Sequence, residues 1–246
     1  MSSLAIQEAT QRSVALRGAL AERIVVADGA MGTMLQASDA APGDFGGHEG
    51  CNEVLNVARP DIVRGIHRAY LEAGADCVTT NTFGANLGNL SEYGIAGRIG
   101  ELSEAGAAVA RAAADEFTAA DGRPRWVLGS IGPGTKLPTL GHVTFRELRD
   151  SYYENAAGLL CGGADALIIE TCQDLLQAKA AIIGVKRAVA DAYPQAAGST
   201  LPVVVVSLTI EATGTMLLGT EIGAALTAIA PLGIDVIGLN CATGPA

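Results

Sequence analysis

Short runs of apolar residues alternate with longer amphipathic segments along this chain of 246 residues. The runs are continuously apolar, which is typical of strands buried on both faces of a sheet. The longer segments repeat their apolar residues at helical spacing. Six runs follow the strand pattern: 24–27, 77–80, 126–128, 166–169, 203–208 and 236–239. The pattern predicts an α/β fold with a parallel sheet.

Local signals mark where two of the helices begin. Thr144 and Glu147 have the spacing of a capping box, which predicts a helix over 144–160. Pro60 predicts the start of another helix, because proline is favoured in the first helical turn.

One junction recurs along the chain. Gly74-Ala75-Asp76, Gly163-Ala164-Asp165 and Gly233-Ile234-Asp235 each follow a helical pattern and precede an apolar run. A glycine can adopt the left-handed conformation that ends a helix, and the short polar turn then leads into a buried strand. The repeat indicates a sheet wound in one direction.

Two parallel architectures fit this pattern, an open doubly wound sheet and a (β/α)8 TIM-type barrel. The turn after the first run reads Asp28-Gly29-Ala30-Met31-Gly32-Thr33 and lacks the spacing of a dinucleotide-binding loop, which favours the barrel. Six of eight βα units use nearly the whole length of the chain. We therefore expect residues 1–246 to be one barrel domain that is incomplete at its C-terminus, with no second domain.

Charge and cysteine content limit the functional classes. The net charge of −10, without a local Lys/Arg cluster, argues against nucleic acid as a partner. No apolar run reaches the ~18 residues of a membrane span. The five cysteines are scattered and contain no Cys-x-x-Cys pair, which favours a reducing compartment. We expect a cytoplasmic protein.

Polar residues follow the predicted strands, where β/α barrels carry their working residues. Asp28 and Glu170 each end a strand, and two carboxylates in one cavity suit an ammonium group. Each could instead cap the following helix or pair with a basic residue. The turn at Gly29 and Ala30 favours a binding site, because successive backbone N–H groups can hold a carboxylate. Together these residues predict an amino-acid site.

Cys241 is the candidate metal ligand. A lone cysteine is usually a small buried apolar residue, but Cys241 directly follows a strand, where its thiolate could project into the barrel mouth. Cys172 is the other cysteine near a strand end, and no partner has a recognisable zinc spacing. The histidines carry no such signal, since no pair has metal spacing and His67 lies on the predicted polar side of its helix.

Six segments together resemble the homocysteine-binding domain of cobalamin-dependent methionine synthases. They occur in the same order and cover nearly the whole chain. The segments are 26–33, 51–53 with 59–61, 80–84, 129–141, 170–174 and 238–245.

The resemblance implies a methyltransferase in which zinc, held by three cysteine thiolates, binds the thiol of homocysteine and lowers its pKa. The thiolate then attacks the methyl group of methylcobalamin. Cys241 matches the first zinc ligand. By the same resemblance, Asp28 and Glu170 hold the amino group of homocysteine, and the Gly29 and Ala30 amides hold its carboxylate. The partners implied are homocysteine and the cobalamin and folate domains of the parent enzyme.

One departure from the family pattern is large. The adjacent cysteine pair that completes the zinc site is absent from this chain, so we expect the chain alone to be inactive. The alternatives are a non-catalytic barrel fragment that binds a partner through its open sheet edges, and a methyltransferase of the betaine or S-methylmethionine type. An aldolase-like lyase would need a Schiff-base lysine, and none of the three lysines ends a strand.

Overall fold

A parallel sheet of five strands organises residues 3–242, the part of the chain that the computed structural model describes. The strands are β1 (Cys77–Thr79), β2 (Trp126–Ile131), β3 (Ala166–Cys172), β4 (Val203–Leu208) and β5 (Val236–Leu239). The α-helices are α1 (Ser3–Glu22), α2 (Met31–Gln36), α3 (Leu55–Ala58), α4 (Pro60–Glu72), α5 (Leu87–Glu92), α6 (Ile99–Asp121), α7 (Phe145–Cys161), α8 (Leu175–Ala192) and α9 (Ile222–Ile229). Short 3-10 turns lie between several of these elements.

The order of the strands in space is their order in the chain, β1-β2-β3-β4-β5, and every neighbouring pair is parallel. A doubly wound sheet would reverse its strand order at a switch point. Continuous winding in one direction is the arrangement of a β/α barrel. The α/β barrel class predicted from the sequence is therefore confirmed, in the form of a partial barrel.

The segment 24–27 differs from its prediction as a sixth strand. Only Ala27 forms a bridge, to Cys77 of β1, and the Ile24 side chain is 85% exposed. The N–H of Val26 donates to the Asp76 carboxylate at 2.9 Å. The Asp76 side chain therefore occupies a backbone donor that a strand would use for pairing. With one short strand beside it and no strand of the described residues on its other side, the segment makes too few backbone bonds to count as a strand.

Alternate positions of the strands enter two different cores. One face packs against the helices, with Val78, Val127 and Leu167 in the larger core. The other face points into the barrel, where Trp126 and Ala166 pack with Leu16 of α1. Because Leu16 is only 2% exposed, α1 closes the end of the barrel at which the strands begin. The opposite end, where the strands stop, carries the polar residues.

The predicted helix starts are confirmed. Thr144 accepts from the Glu147 N–H, and the Glu147 carboxylate accepts from the Thr144 N–H at 3.0 Å. Pro60 is the first residue of α4. Within residues 3–242, no helix combines the length and apolar content that crossing a bilayer requires.

The repeated Gly-x-Asp junctions have a common structure. Each aspartate accepts a hydrogen bond from a backbone N–H of a neighbouring parallel segment. Each also forms an ion pair with an arginine that lies in α1 or directly after it. Asp76 pairs with Arg23, Asp165 with Arg12, and Asp235 with Arg17. Their backbone donors are the N–H groups of residues 26, 127 and 204. The repeat therefore fastens α1 across the closed end of the barrel.

His67 does not lie on an exposed face of α4, and the prediction of a polar position was wrong. Its side chain is 0% exposed, and neither ring nitrogen has a hydrogen-bond partner in the described residues. Burial lowers the pKa of His67 to about 4. Tertiary packing around α4 therefore covers a position that helical periodicity alone assigned to solvent.

We expect Asp165→Ala to lower the free energy of unfolding by about 3 kcal/mol, because the substitution removes a buried carboxylate shared by two guanidinium groups. Asp165 is fully buried and accepts from Arg12 at 2.5 Å and from Arg111 at 2.6 Å. The control is Asp235→Ala, since the Asp235 side chain is 29% exposed; we expect it to cost about 1 kcal/mol or less. Urea denaturation measures both, and equal losses would contradict a special role for Asp165.

We also expect His67→Leu to reduce the loss of stability on acidification. The unfolded state takes up a proton below the ordinary histidine pKa of 6.5, whereas the folded state does so only near 4. His67 therefore lowers stability as pH falls from 6.5 towards 4, by about 2 kcal/mol between pH 7 and pH 5. Denaturation at the two pH values tests this, with exposed His142→Leu as the control. A wild-type pH dependence in His67→Leu would refute the expectation.

Candidate functional site

A cavity of about 510 Å³ opens at the carboxyl ends of the strands. The residues predicted from the sequence all line it: Asp28, Gly29, Ala30, Glu170 and Cys241. They come from segments up to 213 positions apart in the chain (241 − 28). The winding of the sheet brings them together, because parallel strands end at the same edge.

Asp28 is held at the edge of the sheet by Thr79 of β1. Its Oδ1 accepts from the Thr79 hydroxyl at 2.7 Å, and its Oδ2 accepts from the Thr79 N–H at 2.8 Å. The Asp28 N–H donates to the Cys77 carbonyl at 3.0 Å. The carboxylate therefore has a fixed position beside the cavity, and it caps no helix.

Glu170 lies on β3, where the pairing with β4 shifts register between Ile169 and Cys172. Its Oε1 accepts from the Ser130 hydroxyl at 2.6 Å. The next residue, Thr171, has φ of +59°, a conformation that is rare for a β-branched residue. No arginine or lysine of the described residues forms a salt bridge with Glu170 or with Asp28.

Burial makes both carboxylates hard to ionise. It raises the pKa of Asp28 to about 6, against the opposing effect of the Thr79 hydrogen bonds. The negative charge of Glu170 raises the pKa of Asp28 further. Burial also raises the pKa of Glu170, although the Ser130 hydroxyl acts in the opposite direction. A cation that entered the cavity would relieve this cost, since it would stabilise the charged form of both groups.

The turn at Gly29 and Ala30 is shaped by Tyr70 of α4. The Tyr70 hydroxyl donates to the Ala30 carbonyl at 3.0 Å. A Cβ at position 29 would lie 3.0 Å from that hydroxyl oxygen, so the close approach favours glycine. The N–H groups of both residues precede α2 and lie outside its internal hydrogen bonds.

Cys241 is exposed and has φ of +57°. Its Sγ accepts from Asn240 Nδ2 at 3.3 Å. Cys172, the other cysteine near a strand end, is buried, and burial raises its pKa to about 12. Cys172 therefore stays a thiol within the core, and Cys241 is the thiol that reaches the cavity. The rest of its turn, residues 243–246, lies outside the described residues.

Sequence reasoning assigned no role to four further polar residues at this end of the barrel: Glu53, Thr79, Ser130 and Asn240. Glu53 lines the cavity, is 7% exposed, and accepts from the Gly84 N–H at 2.7 Å. A Cβ at position 84 would meet that carboxylate at 2.7 Å. The available signal was a polar residue within or next to an apolar run, but such a residue is as often structural as functional.

A family model described as homocysteine S-methyltransferase matches residues 25–246. The match includes every residue of the candidate site. The chain belongs to the homocysteine S-methyltransferase family.

Curated relatives of this family member are methionine synthases. The enzyme of Mycobacterium tuberculosis is 61% identical over 227 residues, which cover 92% of this chain and 18% of the relative. The enzyme of Mycobacterium leprae is 60% identical over 227 residues, with the same shares covered. The chain thus spans less than a fifth of the length of these relatives.

Solved structures of the homocysteine methyltransferase MmuM from Escherichia coli share the fold. Its metallated form aligns with a TM-score of 0.72 at 22% identity, covering 92% of this chain and 77% of that chain. Its apo form aligns with a TM-score of 0.68 at 23% identity, covering 92% and 75%. At this identity the likeness establishes a common architecture for the two chains.

The described residues of this homocysteine S-methyltransferase chain provide one candidate metal ligand at the cavity but not a complete metal site. Within residues 3–242, no three histidine, cysteine or acidic side chains are grouped so that they could hold a metal ion. Cys241 offers an accessible sulfur at the cavity. A zinc site usually has at least three protein ligands, so others would have to come from outside the described residues.

We expect Thr79→Val to raise the pKa of Asp28 above that of the wild-type protein. The substitution removes the hydroxyl that donates to the charged form of Asp28 at 2.7 Å. A pH titration of the Asp28 carboxyl carbon by NMR measures the change. Thr227→Val, on the exposed side of α9, is the control. An unchanged or lower Asp28 pKa in Thr79→Val would show that the hydroxyl does not stabilise the carboxylate.

Proposed function

We propose that this chain is the homocysteine-binding part of a methionine synthase, an enzyme that transfers a methyl group from methylcobalamin to homocysteine. One observation carries the proposal: two partly buried carboxylates without a basic partner among the described residues share a cavity with an accessible cysteine. The methionine synthases that are 60–61% identical to the chain support its assignment to such an enzyme.

The amino-acid end of homocysteine binds to residues of this chain. The ammonium group lies between Asp28 and Glu170, where it stabilises two carboxylates that burial disfavours. The carboxylate of homocysteine accepts hydrogen bonds from the backbone N–H groups of Gly29 and Ala30, which take no part in the internal hydrogen bonds of α2. The Tyr70 hydroxyl holds this turn in place from below. The substrate is thereby oriented before any chemistry occurs.

The thiol end of homocysteine points towards Cys241, which supplies one thiolate ligand of a zinc site. Zinc, when bound there, lowers the pKa of the substrate thiol and so favours the thiolate at neutral pH. The two remaining protein thiolates come from outside this chain. Residues 1–246 are therefore one incomplete barrel domain, and this domain alone is inactive as a methyltransferase.

The other functions of the parent enzyme lie in the part of its length that this chain does not span. The chain covers 18% of each relative, so cobalamin-binding and folate-binding domains would be the partners of this barrel. All five cysteines are free thiols, which supports a cytoplasmic location.

We expect Asp28→Asn and Glu170→Gln each to weaken L-homocysteine binding roughly 10- to 100-fold, because each removes a charge-assisted hydrogen bond to the ammonium group. Wild-type affinity should also fall about tenfold from pH 7 to pH 5. The sign follows from Asp28, whose pKa of about 6 leaves it charged at pH 7 and mostly protonated at pH 5. Calorimetric titration of this chain, under reducing conditions, measures both effects.

The control for this experiment is Glu154→Gln, an exposed acidic residue on α7 that should bind like the wild type. In Asp28→Asn the pH dependence should be much weaker, since the group that titrates near pH 6 is gone. Wild-type affinity in Glu170→Gln would refute the amino-acid site and with it the proposed function.

A further inference from the structure

Asn240 connects three strands at the open end of the barrel. Its Oδ1 accepts from the Thr171 N–H at 3.0 Å and from the Ser207 hydroxyl at 2.8 Å. Its Nδ2 donates to the Thr171 hydroxyl at 2.8 Å and to Cys241 Sγ at 3.3 Å. A single side chain at the end of β5 therefore contacts the ends of β3 and β4 and the candidate metal ligand.

The two contacts to Thr171 and Cys241 coincide with the backbone strain in this protein. Among the described residues, Thr171 and Cys241 are the only ones other than glycine with positive φ, at +59° and +57°. Such conformations persist only where surrounding contacts impose them. Asn240 forms two hydrogen bonds with Thr171. It also directly precedes Cys241 in the chain and donates a hydrogen bond to its sulfur. Asn240 therefore supplies supporting contacts to both strained residues.

Each strained residue controls the direction of a site residue. Thr171 directly follows Glu170, and its conformation accompanies the register shift of β3 at which Glu170 enters the cavity. The conformation of Cys241 sets the direction of its own sulfur, which lines the same cavity. The positions of the Glu170 carboxylate and the Cys241 sulfur therefore both depend on Asn240.

We infer that Asn240 is a positioning residue that fixes the spacing between the Glu170 carboxylate and the Cys241 sulfur, and hence between the amino and thiol ends of bound homocysteine. This inference rests on the proposed function. The inference adds a determinant of substrate specificity to that function. Only an amino acid whose ammonium group and sulfur are separated by the matching distance can contact both Glu170 and Cys241.

The amide group suits this position better than a carboxylate would. It provides an acceptor for the Thr171 N–H and a donor for Cys241 Sγ at the same time. A carboxylate would keep the acceptor but would place a negative charge beside the sulfur. Asn240→Asp therefore separates the two contacts experimentally.

The spacing can be measured by thiol–disulfide exchange at Cys241. In a Cys161→Ser background, Cys241 is the one exposed cysteine of the described residues. The Cys241 thiolate attacks a sulfur of homocystine, forms a mixed disulfide and releases one homocysteine thiolate. Bis(2-hydroxyethyl) disulfide reacts by the same step but has no amino-acid group. With a chelator present, the ratio of the two rates reports how well the amino-acid site directs the disulfide to Cys241.

We expect Asn240→Ala to lower this ratio by roughly tenfold or more, since a displacement of about 1 Å already removes most of an orientation effect. Its affinity for L-methionine, measured by calorimetry, should fall as well, because Glu170 loses its fixed position. Adding Thr171→Gly should return that affinity to within about threefold of wild type, because glycine adopts positive φ without support. The rate ratio should remain low in the double variant, since Cys241 is still unsupported.

Asn240→Asp provides an independent test if Asn240→Ala does not fold. The variant should keep its affinity for methionine, because the introduced carboxylate still accepts from the Thr171 N–H. Its ratio of the homocystine rate to the bis(2-hydroxyethyl) disulfide rate should fall, because the donor to Cys241 Sγ is gone. Ser207→Ala is the matched control, which removes one contact to Asn240 and should change neither value.

The outcomes separate the two proposals. If the wild-type chain binds methionine but folded Asn240→Ala or Asn240→Asp keeps the rate ratio, the positioning role is refuted while the proposed function stands. If Thr171→Gly fails to restore methionine affinity to Asn240→Ala, Asn240 does not act through Thr171 and the inference fails. A wild-type chain that does not bind methionine refutes the proposed function, and the inference falls with it.

Discussion

The ion pairs between α1 and the helix-to-strand turns determine how the rest of this barrel is held. In each turn an aspartate accepts a hydrogen bond from a backbone N–H of a neighbouring parallel segment. The same aspartate forms an ion pair with an arginine from the N-terminal region. A carboxylate at this position serves three purposes, since it ends the turn, fixes the adjacent segment and attaches α1. The closed end of the barrel is thus stabilised by charge and hydrogen bonds around a small apolar core. This rigid end leaves the opposite end free to carry groups that are costly to bury.

At that opposite end the partly buried polar groups lower the stability of the fold. Asp28 and Glu170 are partly buried without a basic partner in the described residues, and their raised pKa values reflect the cost of removing their charges from water. Thr79 and Ser130 offset part of it with hydroxyl donors, while Asn240 supports two residues in strained conformations. Active sites commonly combine such features, because a ligand supplies the missing charge and contacts. The barrel therefore separates its stabilising groups from its binding groups along the barrel axis.

The sequence predicted the winding, and it predicted that the candidate site residues lie at one end of the barrel, because both have strong local signals. Apolar runs, glycine turns and a capping box each depend on a few neighbouring residues, and the strand ends then locate Asp28, Glu170 and Cys241. The segment 24–27 was predicted as a strand from its apolar side chains, but strand formation depends on partners that no local pattern contains. His67 was assigned to solvent for the same reason, since the tertiary contacts that bury it are not contained in the local pattern. Asn240 was assigned no role because its contacts include Thr171, which lies 69 residues away in the chain.

The attachment of α1 also has a consequence for how the chain folds. α1 and the residue that follows it are synthesised before all five strands, yet their ion pairs join residues 53, 153 and 218 positions apart. Closing such long loops is slow compared with forming local helix–strand units. Successive βα units can therefore form in chain order before α1 is attached, and α1 completes its contacts after the strands that it joins. Until then the end of the barrel that α1 covers exposes its apolar interior, and such exposed surface makes a folding intermediate prone to aggregation.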